Sequence, residues 1–514
     1  MSRTRDAMIR ILILAGLSLS LAGWAMGQDS GNTLERGFKQ PPDSAKPQVW
    51  WHWMNGNITK EGITADLEWM KRVGIGGMQM FDGNQGTPQF VDQRLVWMTP
   101  EWKAAFRHAA SEADRLGLEM SMAASGGWSE SGGPWVKPEQ AMKKVVWSET
   151  EVQGPRKFSG VLPQPPSVNG LFQNTPRPKG FERAPDTSLP GAKPMAKTPP
   201  PPPDPTYYAD TKVIAYRLPD DEVRVADMHP KVTSSAGDIE AAALMDGDLS
   251  KTIALPFAEG AGQAWIQFEF PQPYKVQAFT FAGAGGGQFF GAAIPNGEVE
   301  ASQDGTNWVP LATLPGPGHA SAGFPVRTYS FPETTARFYR VVLDRPKPNP
   351  MAAYFGITSK NAVDIAEIEF ASTPRVNHWQ EKAQFGNMFE YESAATPAVE
   401  VNQVVSRNNV IDLTSKMLKD GTLDWDVPAG KWGVLRMGYS LTGQKNAPAS
   451  PEATGFEVDK LSRKHVDSYF QNYVGQISST LGPYFGKSFR YFLMDSWEAG
   501  LEKSKRPRSG SVRV

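Results

Sequence analysis

The sequence predicts an α/β protein interrupted by an all-β sandwich, and three observations carry that assignment. Between Gln48 and Ala123 strand-like and helix-like runs alternate as a βαβαβ series, which builds a parallel sheet. Near the other end a helix-period stretch from about Ser462 leads into Phe489-Arg-Tyr-Phe-Leu-Met494. Its side chains are nearly all large and apolar, as in a parallel strand covered on both faces. Between these regions, roughly Lys231 to Ser372 alternates apolar and polar residues over short runs split by Gly, Pro and Asn turns, the pattern of a sandwich. At 514 residues the chain is too long for a single core.

The first strand is Gln48-Val-Trp-Trp-His-Trp-Met54, stopped by the turn signal Asn55-Gly56. Thr59 can cap a helix whose apolar residues Ile63, Leu67 and Met70 recur at helical spacing before Gly74. Ile75 to Phe81 is the second strand, closed by Asp82-Gly83. Thr99-Pro100 starts a second helix with Trp102, Phe106, Ala109, Ala113 and Leu116 on one face and Gly117 as terminator. Leu118 to Ala123 is the third strand, running into the Gly-, Ser- and Trp-rich loop Ser125 to Trp135. Spacing alone does not separate an open doubly wound sheet from a closed barrel. Residues 154–205 turn to Pro, Lys, Gly and Ser, with five prolines at 199–203, and read as an extended spacer. After the sandwich, Lys431 to Tyr439 reads as a strong strand, and the next helix carries Val466, Phe470, Tyr473, Ile477 and Leu481 as its stripe. The end, 501–514, is basic and unpatterned.

Composition narrows the function. A net charge of −1 creates no field that favours nucleic acid or an anionic membrane. Cysteine is absent, which excludes disulfides, thiolate nucleophiles and Cys-bound zinc, and the six histidines show no metal-ligand spacing. The 16 tryptophans suit a protein that stacks on sugars, although large α/β cores also consume Trp. Arg3, Arg5 and Arg10 precede the apolar run Ile11 to Leu21 and the small residues Ala25 and Gly27, a cleavable export signal over 1–27. The expected location is periplasmic or extracellular, with no membrane contact after cleavage.

Within the sandwich region, Leu244-Met-Asp-Gly-Asp248, Trp265 to Phe270, the turn Ser302 to Trp308, Ala336 to Arg340 and Ile365 to Ile368 resemble a discoidin-type sandwich. That resemblance implies a structural calcium at Asp246 and Asp248; an Asp-Gly turn joining two strands is the alternative.

The polar groups at strand ends are Asn55, Asn57, Asp82, the loop Ser125 to Trp135, Glu452, and Asp495 with Glu498. They supply carboxylates and aromatics without a nucleophile–His pair, a P-loop or a dinucleotide fingerprint, which favours glycoside hydrolysis. Trp50-Trp-His-Trp-Met-Asn-Gly-Asn57, Glu61 to Leu67, Gly74-Ile-Gly-Gly77, Ser125 to Trp135 with Ala141-Met-Lys-Lys144, and Asp495-Ser-Trp-Glu498 resemble glycoside hydrolase family 106, the exported bacterial α-L-rhamnosidases. The resemblance implies an inverting hydrolase of rhamnose-containing oligo- or polysaccharides on a (β/α)8 TIM-type barrel, with Ca2+ in the sugar site and two catalytic glutamates. Glu498 matches one glutamate, acid or base unassigned. Asp495 is a candidate calcium or sugar ligand, and Asn55, Asn57, Asp82, Trp128 and Trp135 are candidate sugar contacts.

On this reading residues 38–153 begin the barrel, 231–372 are an inserted discoidin-like sandwich and 373–500 continue the barrel. About five barrel-type strands are legible against the eight of a closed barrel, so the expectation is an incomplete barrel and a weakly active or inactive fragment. The competing class is a non-catalytic carbohydrate-binding protein acting through the sandwich.

Overall fold

A computed structural model describes residues 33–176, 185–193, 202–220, 222–284, 294–314, 324–347, 360–386 and 394–494. The export signal, Asp495, Glu498 and the basic tail lie outside the described residues. Strands β1 (Gln48–Met54), β2 (Gly77–Gly83) and β3 (Glu119–Ala123) lie side by side, all parallel. The final strand, Phe489–Leu493, joins β3, also in parallel, and completes a four-stranded sheet in chain order.

Helices α1 (Lys60–Arg72), α2 (Pro100–Leu116) and α3 (Arg463–Leu481) cover one face of this sheet, α1 packing on α2 and α2 on α3. The capping signals act as expected: Thr59 Oγ1 accepts the Gly62 N–H at 3.0 Å, and Gly117 ends α2 in the left-handed region at φ 62°. Ile63, Leu67 and Met70 of α1, with Trp102, Phe106, Ala109 and Ala113 of α2, are buried against Trp51, Trp53, Met78, Met80, Met120 and Met122 of the strands. On α3 the buried face is Tyr469, Tyr473, Ile477 and Leu481, while Val466 and Phe470 are exposed. The stripe read from the sequence shifts in the first turns because the Tyr469 hydroxyl donates to the carbonyls of Ala124 (2.7 Å) and Gly132 (3.2 Å), which draws that ring inward.

Two expectations are corrected by a second sheet. Strand β4 (Lys143–Val161) pairs antiparallel with Thr422–Leu441 along almost its whole length, flanked by β5 (Tyr208–Arg217) and the short Val410–Asp412. The strand legible at 431–439 therefore belongs to an antiparallel sheet and not to the parallel one. The presumed spacer likewise begins inside a strand, since residues 154–161 remain paired. Gly154-Pro155 looks like a breaker but sits where the register shifts between Val427 and Gly430. A Cβ at Gly154 would lie 1.9 Å from the Pro428 carbonyl oxygen, so only glycine permits that approach. At the root of β4 two buried lysines tie down neighbouring turns. Lys143 Nζ donates to the Ala141 carbonyl at 2.7 Å, and Lys144 Nζ to those of Val168 (2.8 Å) and Gln173 (2.7 Å).

The third unit is built from β6 (Lys231–Ser234), β7 (Gly237–Asp238), β8 (Ile253–Pro256), β9 (Gln263–Gly283), β10 (Gly297–Ser302), β11 (Val309–Leu314), β12 (Val326–Asp344) and β13 (Ala362–Ala371). The two strands read at 264–270 and 275–281 are one long strand, β9, with Pro271 and Pro273 between its halves. Phe370 of β13 pairs with Phe279 in the second half of β9, yet its ring packs 5.2 Å from Phe268 in the first half. The strand thus folds over, its two halves facing one core. This unit rests on the second sheet through an aromatic cluster in which Trp147 meets Phe172 (5.6 Å), Phe385 (5.8 Å) and Trp379 (5.9 Å).

With the remaining strands placed, Val410–Asp412 is β14, Thr422–Leu441 is β15 and Phe489–Leu493 is β16.

Candidate active site

Strand register decides which side chains share the helix-free face of the parallel sheet. Trp50, Gln79, Ser121 and Tyr491 form one row across β1, β2, β3 and β16, and His52 and Phe81 stand one step nearer the C-terminal edge. On that face His52 stacks on Phe81 at 5.2 Å, and Trp128 from the loop after β3 meets His52 edge-on at 6.2 Å.

Gly126 and Gly127 make this seating of Trp128 possible. A Cβ on Gly127, which has φ 79°, would lie 2.5 Å from the Ala447 carbonyl carbon, and one on Gly126 would lie 2.9 Å from the Ala453 methyl. The two loops are sewn together by the Trp128 N–H on the Ala447 carbonyl (2.9 Å) and by the Asn446 amide on the Gly126 carbonyl (2.9 Å). The Ala124 N–H donates to the Leu493 carbonyl at 3.0 Å, so the end of β16 arrives beside the same loop.

Asp82 alternates to the helix side of the sheet, where it is 2% exposed and accepts the Trp102 indole N–H at 2.8 Å. Its backbone carbonyl receives the Gly127 N–H at 2.7 Å. Burial pushes the Asp82 carboxyl up to about 7, against the Trp102 hydrogen bond and the Arg94 charge, with Glu452 adding to the rise. A folded-state value above the unfolded one favours folding at low pH, so this group's contribution is lost as pH rises from about 4 to about 7. Asp82→Asn should flatten that slope and stabilise the protein at pH 8 by up to roughly 4 kcal/mol. Urea midpoints measured from pH 4 to pH 8 test this, and an unchanged slope would refute it.

Arg94 pairs with Glu452, joining the loop after β2 to the loop after β15, and its guanidinium lies 3.5 Å from Asn55 Oδ1. Asn55, buried at the turn with φ 53°, donates to the Thr87 carbonyl at 2.7 Å. Asn57 donates to the carbonyls of Met54 and Pro88 (both 3.0 Å) and accepts the Phe90 N–H (2.7 Å). Both amides brace the loop over the sheet edge. Trp135 lies on the flank, tilted over Tyr473 at 5.9 Å, beside a groove of about 240 Å³ lined also by Lys137, Gln140, His465, Tyr469 and Asn472. Asn55, Asn57, Asp82 and Trp128 are thus gathered at one edge.

Asp246 and Asp248 stand apart, in the sandwich. Asp248 Oδ1 accepts from Asn174 (2.6 Å) and the Ser250 N–H (3.1 Å), while Oδ2 pairs with Lys251 at 2.8 Å. Gly247 N–H donates to Glu367 Oε2 at 3.0 Å. Burial, then the charges of Glu369, Asp246 and Asp248, push Glu367 up to about 8. Lys251 and the donors from Ser250 hold the Asp248 carboxyl down at about 2, so Lys251 already occupies the place of a cation beside these hard carboxylate oxygens, the donor type that suits Ca2+. Among the described residues no group of three or more His, Asp or Glu side chains is arranged to hold a metal by itself.

His52 and Arg94 are parts of this edge that motif reading does not single out. His52 was legible by phase, since it alternates with the helix-facing Trp51 and Trp53 in β1. Arg94 carries no local signal, because its partner is 358 residues away.

Comparison with known proteins defines the class as glycoside hydrolase. A family model described as alpha-L-rhamnosidase, glycoside hydrolase family 106, matches residues 39–505. The chain belongs to that family. The solved structure of a rhamnosidase from Novosphingobium sp. PP1Y is 40% identical and superposes with a TM-score of 0.73, over 91% of this chain and 40% of that one. A protein of Formosa agariphila named "Putative beta-glucuronidase" is 25% identical over 91% of this chain and 24% of its own length. The chain therefore spans less than half the length of these relatives. Among the described residues no helix is long and apolar enough to cross a membrane.

Proposed function

We propose that the protein is an exported α-L-rhamnosidase that hydrolyses terminal α-L-rhamnosyl linkages in oligo- or polysaccharides with inversion at the anomeric carbon. The observation that carries this reading is the family match across residues 39–505, laid over an edge where the Trp128 loop meets the end of β16. The parallel sheet is proposed to be part of a (β/α)8 barrel. Strands in chain order with α1, α2 and α3 on one face support a singly wound barrel over a doubly wound sheet.

Asp495 and Glu498 follow β16 by two and five residues and are proposed at the C-terminal edge, Glu498 as a catalytic carboxylate and Asp495 as a calcium or sugar ligand. In an inverting hydrolase one carboxylic acid protonates the leaving oxygen while a carboxylate activates water on the opposite ring face, the pair standing about 6.5–9.5 Å apart. The neutral, aromatic face made by Trp128, His52 and Phe81 would exclude bulk water from one side of the sugar. The test is proton NMR of an aryl α-L-rhamnoside during turnover. Initial release of β-L-rhamnose is expected, and initial release of the α-anomer would overturn inversion.

Calcium is proposed at Asp246 and Asp248, where it would replace Lys251 as the positive partner of the Asp248 carboxylate. Adding Ca2+ should raise the sandwich's melting temperature, EGTA should reverse the rise, and Asp248→Asn should abolish the response. A melting curve indifferent to all three would sink the assignment.

A further inference from the structure

Trp135 is set apart from the other candidate sugar contacts. It forms one wall of a groove of about 240 Å³ whose lining includes none of Asn55, Asn57, Asp82 or Trp128. The seat of the ring is built into its own loop. Gly133 has φ 141°, and a Cβ there would lie 2.9 Å from Trp135 Cζ2, so a larger residue would push the ring away. On the protein side the ring leans on Tyr469 (6.5 Å) and Tyr473 (5.9 Å), yet it stays half-buried and the rest of it meets the groove. Polar groups reach the same groove from two elements. Gln140 ends the turn after Trp135; its Oε1 accepts the Lys137 N–H at 3.1 Å, and its Nε2 donates to Ser468 Oγ at 3.3 Å, which ties the turn to α3. One turn beyond Ser468, Asn472 Oδ1 accepts from Gln476 at 2.8 Å, and Gln476 accepts from Lys103 of α2 at 3.1 Å, so the groove opens on the α2 side of α3.

We propose that this groove is a second saccharide site, separate from the place of hydrolysis, which holds one uronic-acid unit of a glycan with its ring on Trp135 and its carboxylate toward Lys137. An aromatic wall facing amides and a hydroxyl suits a sugar, whose C–H face packs on indole and whose hydroxyls exchange hydrogen bonds with amide groups. The space is smaller than the roughly 300–1,000 Å³ of a drug-sized pocket, which limits it to a small ligand such as a single ring. Its charge selects the kind of ring. Lys137 lines it, and none of the described residues lining it is a carboxylate; Asp459, 3.5 Å from His465 Nδ1, is buried and stands outside the lining. A negative group on the sugar therefore meets a cation with no lining carboxylate to repel it.

The experiment titrates the full chain with methyl glucuronoside and methyl glucoside, followed by saturation-transfer NMR. Dissociation constants on the order of 1–10 mM are expected for one solvent-open sugar ring. At low salt the glucuronoside should bind about two- to fivefold more tightly, the contribution of an exposed ion pair. Lys137→Met should erase that preference, and Trp135→Ala should weaken both sugars roughly tenfold. Excess L-rhamnose should displace neither sugar. Displacement by rhamnose, unchanged binding in Trp135→Ala, or equal affinity for the two sugars in the unaltered protein would each overturn the proposal, as would no binding at all. Lys137 is exposed, so Lys137→Met decides the matter if Trp135→Ala does not fold. The readout is binding and not turnover, so a failure of the rhamnosidase reading would leave this result standing, and the reverse holds as well.

Discussion

Replacing Glu498 by Gln should cut hydrolysis of an aryl α-L-rhamnoside by about 10²- to 10⁴-fold, the usual contribution of a positioned acid or base. Gln is isosteric but neither gives nor takes a proton at neutral pH, so kcat should fall while KM changes little. A loss in kcat and kcat/KM together is the sign of an interaction made only in the transition state. Azide or formate should restore turnover if Glu498 is the base, whereas substrates with better leaving groups should suffer least if it is the acid. Wild-type rates in the Gln variant would remove Glu498 from the mechanism.

Trp102→Ala should destabilise the α/β part of the molecule by about 3–5 kcal/mol, the range for deleting a large buried aromatic. The ring is fully buried and packs on Phe106 at 5.0 Å, Trp97 at 4.8 Å and Trp53 at 5.8 Å. Its indole N–H is also the donor that meets the buried Asp82 carboxyl. Trp102→Phe separates the two effects. It keeps most of the packing and leaves Asp82 without that donor, for about 1–3 kcal/mol. The sandwich has a core of its own, so its unfolding transition should stay in place while the α/β transition moves. A denaturation curve in which both transitions shift equally would contradict separate cores.

Helices and strands of the N-terminal third were legible because their signals are local. Thr59 and Thr99 cap, Gly117 stops, and the burial of Ile63, Leu67 and Met70 follows from a 3.6-residue period. The partner of a strand is not a local property. Lys431 to Tyr439 has the composition of a buried strand in either kind of sheet, and only its register against Lys143–Val161 shows that it runs antiparallel, outside the parallel sheet. Gly154-Pro155 misled for a related reason: a breaker in isolation is a tolerated irregularity when the facing strand shifts register at the same point. The same limit governs the site. Asn55, Asn57, Asp82 and Trp128 were singled out by their position after strands. Sorting loop braces and a buried carboxyl from the aromatic residues of the helix-free face needed the alternation of real strands and the Gly126-Gly127 approach to Ala447 and Ala453.

By itself, then, the sequence determined element types, the α/β and all-β regions and the rhamnosidase family, because periodicity, caps and ordered motifs are written along the chain. Tertiary structure alone decided which strands pair, that Asp82 turns to the helices while His52 turns away, and that Arg94 meets Glu452. Those outcomes depend on contacts between residues tens to hundreds of positions apart, which no window along the chain contains.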